Sequence, residues 1–151
     1  MTPETLFLIC NNGVIPFWVL LAVAPGWRYT QAIVHAAWVP LALAAVYAFA
    51  LATAMSGASE GGGFGSLAGV MALFTNPWGA LAGWVHYLVF DLFVGAWEVR
   101  DARRRGVHHA IVVPCLVFTL MFGPVGLALY LIVRLATGKG AALEETHAAN
   151  A

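Results

Sequence analysis

One carboxyl group stands out among the residues of this chain that could move a proton. Asp91 lies in Trp84-Val85-His86-Tyr87-Leu88-Val89-Phe90-Asp91-Leu92-Phe93-Val94-Gly95, a run otherwise apolar enough to cross a lipid bilayer. An ionisable group at membrane depth is costly and marks a functional site by default. On a helix, Trp84, Tyr87, Asp91, Gly95 and Glu98 share one stripe, so Tyr87, four residues away, can reach Asp91. His86 points about 140° away, which disfavours a direct bond to Asp91 within one helix. Asp91 therefore pairs more plausibly across helices, where His35 is a partner at similar depth. The structural alternative is that Asp91 only holds His35, an asparagine or a freed carbonyl. His86 reads equally as a packing residue or as an acid/base, and His35 more readily as structural. His108 and His109 sit beside arginines and read as solvated.

Other chemistries lack their residues. There is no Cys-x-x-Cys pair, no glycine loop ending in Lys-Ser/Thr and no Gly-x-Ser-x-Gly elbow. Cys10 and Cys115 lie in apolar runs and read as small buried hydrophobes. His35, His86 and Asp91 do not have metal-ligand spacing, and no metal is expected.

The elements that must position these groups are membrane helices. Of 151 residues 62% are hydrophobic and 9% charged, against about 25% charged in soluble domains; mean hydropathy is +0.84. Lysine plus arginine equals aspartate plus glutamate, so charge does not suggest a nucleic-acid partner. Thr5–Trp27, Tyr29–Ser59, Gly61–Phe90 and Gly106–Val133 carry no Asp, Glu, Lys or Arg, and each exceeds the about 20 residues a spanning helix needs. The expected fold is an all-α integral membrane protein with four transmembrane helices. They run from Pro3 to Ala24, Tyr29 to Met55, Pro77 to Arg100 and His108 to Leu135. Asn76 caps the third, and Pro40, Pro114 and Gly123-Pro124-Val125-Gly126 bend the second and fourth. Ser66–Phe74 is too short to span and reads as an interfacial or re-entrant segment between helices two and three. The Gly/Ser-rich Ser56–Ser66 is a hinge. The membrane domain covers 1–137, and 138–151 is a polar, disordered tail.

The first apolar run contains Ala22-Val23-Ala24, a small-residue pattern like a signal cleavage site. It lacks a basic leader, carries Glu4 and is followed by Pro25, so it reads as a retained helix. Arg28, Arg100, Arg103, Arg104 and Arg105 fall in the loops after helices one and three; the positive-inside rule makes that side cytoplasmic and places both termini outside. The arginines read as topogenic first and as an anionic-lipid contact second. By helical rise Asp91 lies about 21 Å from Pro77, and Asp91 and His35 each lie about 9 Å from the cytoplasmic edge. Trp27, Trp78 and Trp97 suit an interfacial belt. Gly79-x-x-x-Gly83 permits close helix contact, within the chain or in a homo-oligomer.

The run from Trp84 to Gly95, with Val113-Pro114-Cys115-Leu116, Thr119-Leu120-Met121-Phe122-Gly123-Pro124-Val125-Gly126-Leu127, Asn12 and Pro16-x-Trp18, resembles the abscisic-acid-deficient-four-like family, whose plant members act in neoxanthin formation. The resemblance covers roughly Leu6 to Arg134 and suggests a bacterial member in the inner membrane. It implies an isomerase-type, neoxanthin-synthase-like enzyme acting on a carotenoid or related isoprenoid within the bilayer. Such chemistry needs an acid and a base and no redox cofactor. In that reading Asp91 shuttles the proton, His86 is the partner acid or base and Tyr87 the orienting donor. Trp84, Asn12, His35 and Pro124 contact substrate. The alternatives are a carotenoid- or lipid-binding membrane protein without chemistry, a small haem or quinone protein using His35 and His86, and, weakest, a transporter.

Overall fold

A computed structural model describes residues 1–57 and 62–143, and every regular element among them is helical. In chain order the helices are α1 (Pro3–Gly13), α2 (Ile15–Val23), α3 (Arg28–Ile33), α4 (Trp38–Ser56), α5 (Leu67–Thr75), α6 (Pro77–Arg105), α7 (His109–Phe122) and α8 (Pro124–Ala136). The expected hinge lies partly, and the expected polar tail largely, outside the described residues. The chain divides into two compact units, Met1–Phe93 and Val94–Ala151, with α6 running from the first into the second.

In the first unit, α1 and α2 form one apolar stretch of 21 residues, Pro3–Val23, long enough to span a bilayer. Pro16 has no N–H to give the carbonyl of Asn12, and the helix turns at Val14 just before it. Thr2 caps α1 by accepting from the Thr5 amide at 3.2 Å. After α2 the chain is tied back by side chains: Thr30 Oγ1 donates to the Ala24 carbonyl at 2.7 Å and Gln31 Nε2 to that of Pro25 at 2.7 Å.

The helix expected from Tyr29 to Met55 is broken. It stops at Ile33 and restarts at Trp38, with His35 in the intervening turn. Pro40 explains the break, because its ring excludes a helical carbonyl at Ala36 and it is accommodated only in the first turn of a new helix. α4 keeps 19 residues and remains a candidate span.

α5, expected as a short interfacial or re-entrant piece, is a nine-residue helix capped by Ser66, whose hydroxyl accepts from the Gly69 amide at 3.1 Å. It occupies the Gly79/Gly83 stripe. A Cβ on Gly79 would lie 2.1 Å from the Leu73 carbonyl oxygen, and one on Gly83 would lie 2.3 Å from the Phe74 ring. The close approach those glycines permit is thus used within the chain, and an oligomer through the same stripe would have to displace α5. Asn76 Oδ1 accepts from the Trp78 amide at 2.9 Å, starting α6 at Pro77. Along α6, Leu81, Val85, Leu88, Leu92, Ala96 and Val99 recur at three- and four-residue intervals and are all buried.

The second unit corrects the expected fourth span. Instead of one helix from His108 to Leu135, α7 and α8 have 14 and 13 residues and reverse direction at Gly123, whose φ of 48° favours glycine. A Cβ on Gly126 would lie 2.0 Å from the Thr119 amide nitrogen, an approach that only a tight hairpin allows. Each arm is about 20 Å long and too short to cross the about 30 Å core alone. Among the described residues three helices are long and apolar enough to span: Pro3–Val23, Trp38–Ser56 and Pro77–Arg105. Well under half of the most apolar stretch of the first two is buried, 28% and 17%, so apolar side chains cover their outer faces. A membrane protein has that surface because lipid is its solvent.

Candidate functional site

α6 carries the site, and its pitch determines which side chains meet. Trp84, Tyr87 and Asp91 follow one another at intervals of three and four, on one face. The Tyr87 hydroxyl donates a hydrogen bond to the Asp91 carboxyl. The Trp84 and Tyr87 rings lie 5.4 Å apart at 31°. Asp91 is only 8% exposed, and its Oδ2 is buried with no hydrogen-bond partner among the described residues. A buried carboxyl that is half satisfied costs free energy, so stability alone does not account for it.

α1 meets the start of this row. Trp84 Nε1 donates to Asn11 Oδ1 at 3.1 Å, and the Phe7 ring lies 5.7 Å from the Trp84 ring. Between α1 and the first turns of α6 runs a groove of about 510 Å³, lined by Pro3, Phe7 and Leu8 on one side and by Ala80, Leu81 and Trp84 on the other. Two further apolar hollows lie in the first unit. One, of about 340 Å³, lies beside Cys10, Phe17, Trp38 and Val46. The other, of about 250 Å³, has His86, Tyr47, Phe74 and the Gly79/Gly83 face on its walls. Asp91 lines none of these three.

The remaining expected site residues are scattered. His86 faces the third hollow, its ring 4.6 Å from Phe90 and 5.6 Å from Tyr47, away from the Trp84–Asp91 face as helical geometry requires. Asn12 is exposed, and its Nδ2 donates to the Leu8 carbonyl of its own helix at 2.9 Å; its neighbour Asn11 makes the contact to Trp84. His35 is half-buried in the α3–α4 turn, and Pro124 is exposed at the first position of α8, in the second unit. Among the described residues no three His, Cys, Asp or Glu side chains are grouped as around a metal ion.

Sequence reasoning took Asn12 in place of its neighbour Asn11 as the site residue. One signal was available: Asn11 follows Phe7 by one helical turn, and so shares its face. It also passed over a polar cluster in the second unit. Asp101 Oδ2 accepts from Tyr130 Oη at 2.7 Å and from Arg134 Nη1 at 3.1 Å, while its Oδ1 accepts from Arg105 Nε at 2.9 Å. Asp101 is 1% exposed and Arg134 fully buried. Arg134 Nη2 and Arg105 Nη2 both donate to the Ala142 carbonyl at 2.6 Å. Glu98 is also fully buried and accepts from Thr119 Oγ1 at 2.9 Å.

The family model described as ABA DEFICIENT 4-like matches residues 5–130, most of the chain. The chain belongs to the ABA DEFICIENT 4-like family. The matched range includes Asn11, Trp84, Tyr87 and Asp91, and ends before Arg134. No curated protein and no solved structure matches this ABA DEFICIENT 4-like chain.

Proposed function

We propose that this membrane protein acts on a carotenoid or a related isoprenoid within the bilayer, by an isomerase-type acid/base rearrangement. Family membership and the apolar groove beside α1 support the substrate class. The observation that carries the chemistry is the Asp91 carboxyl, buried, held at one end by Tyr87 and with Oδ2 lacking a hydrogen-bond partner among the described residues. Opening an epoxide and removing a proton elsewhere on the same molecule leaves its composition unchanged. One group that gives and takes a proton, oriented by a second, suffices. Asp91 is that group and Tyr87 the orienting donor. His86, on the other side of α6, plays no direct part in this arrangement. The test is Asp91→Asn, purified in mild detergent and incubated with defined epoxy-carotenoids, with products separated by chromatography. A loss of about 10²-fold or more in turnover, with insertion and pigment binding retained, is expected; unchanged products would remove Asp91 from the chemistry.

A second reading, binding without chemistry, is favoured by one observation: Asp91 does not line the groove beside α1 or the two hollows described with it. A purified protein with bound polyene and no turnover on any carotenoid would decide for it.

The location proposed is a bacterial inner membrane, with the N-terminus outside and the C-terminal end of α8 inside. Three spans and a hairpin that returns Arg134 to Asp101, at the arginine-rich end of α6, support this orientation. It replaces the expectation of both termini outside, which needed a fourth crossing.

A further inference from the structure

Two side chains in series, Trp84 and then Tyr87, lead from the groove to the carboxyl. Of the α6 residues that line the groove, Trp84 is the furthest from the start of the helix, and Asp91 lies about 10 Å beyond it along the same face. Trp84 is held from both sides: its Nε1 donates to Asn11 at 3.1 Å, and its ring rests 5.4 Å from Tyr87, which in turn holds Asp91. Asn11 and Phe7, one turn apart on α1, both meet the indole. We infer that Asn11 is a positioning residue that holds Trp84 as a partition between the groove and Asp91, so that the end group of a groove-bound ligand reaches the carboxyl only when the indole swings aside.

The inference rests on Asp91 being the reacting group, and it accounts for a carboxyl buried to 8% exposure next to a groove it does not line. An indole N–H at lipid depth needs some acceptor. A purely structural bond would satisfy that need without governing access to Asp91, and access is what separates the two roles. The Asn11 acceptor is the hydrogen bond that must break for the indole to swing, whereas the Tyr87 contact is ring packing alone, so loss of the acceptor loosens the partition.

The test uses dicyclohexylcarbodiimide, a membrane-soluble reagent. A carboxyl adds across its C=N bond, and the adduct rearranges to a stable N-acylurea. The full chain in detergent is labelled over time, and mass spectrometry follows Asp91 and, as an internal reference, the fully buried Glu98. Asn11→Leu and Trp84→Phe each remove the hydrogen bond; the second keeps an aromatic ring. Each is expected to speed Asp91 labelling by roughly five- to tenfold, the worth of one hydrogen bond. The double variant should be no faster than either alone, with Glu98 unchanged. Equal Asp91 rates in wild type and all variants would overturn the partition. So would a parallel rise at Asp91 and Glu98, which would report general loosening. Labelling reads access and carotenoid turnover reads chemistry, so loss of the isomerase reading would leave the labelling result standing.

Discussion

Asp91 and Asp101 show how environment gives two carboxyls on one helix different roles. Asp101 accepts from Tyr130, Arg105 and Arg134, so both its oxygens are satisfied. Asp91 has Tyr87 on one side and an Oδ2 with no hydrogen-bond partner among the described residues. A satisfied ion pair specifies structure; an unsatisfied carboxyl is available for chemistry. Arg134→Met should therefore cost about 3 kcal/mol, because it takes one of two hydrogen-bonding cations from a buried carboxylate and leaves Arg105 as the other. Thermal unfolding in detergent measures this, and a near-neutral result would mean that water reaches the cluster. For the proposed reaction, Tyr87→Phe should reduce turnover while sparing pigment binding, and His86→Ala should leave turnover within a few-fold of wild type. A collapse of activity in His86→Ala would move the reacting group to the hollow beside Tyr47. Residue types disclosed Asp91 and its i, i+4 neighbour in advance. They did not disclose Asn11, since two adjacent asparagines differ only in which way α1 is turned.

Proline and glycine control the helices that carry these groups. Pro16 and Pro40 each sit within the first three positions of a restarted helix, and the chain breaks just before both. Pro40 was visible in the sequence as a site of bending; that it ends one helix and begins another depends on the carbonyl it excludes, which is a matter of local geometry. At Gly123 the same signals were read as a bend inside a span, and the chain reverses instead. The difference lies in one dihedral, φ 48°, and in the fit of Thr119 against Gly126. Gly126→Val should consequently disrupt the hairpin, by about 3 kcal/mol or more given a clash with backbone that cannot move aside. Gly123→Ala should cost about 1–3 kcal/mol through the strain of a positive φ alone. Equilibrium unfolding of both variants checks the order, and equal effects would show that dihedral strain, not packing, governs the turn.

For the whole molecule, the number of crossings determines where the chain ends. With three spans and a hairpin, a reporter fused after residue 143 should be active only in its cytoplasmic form, while one at the N-terminus should report the outside. A C-terminal reporter active outside would restore a fourth crossing. Composition alone established that lipid is the solvent, because 9% charged residues cannot cover a water-facing surface. Helical periodicity alone placed Trp84, Tyr87 and Asp91 on one face and turned His86 away, since both follow from 3.6 residues per turn. Only tertiary structure chose Asn11 over Asn12, gave the glycine stripe to α5, and brought Arg134 to Asp101 instead of to the opposite surface. These outcomes depend on contacts between residues up to 73 positions apart, and neither periodicity nor charge count encodes which distant partner a helix face will meet.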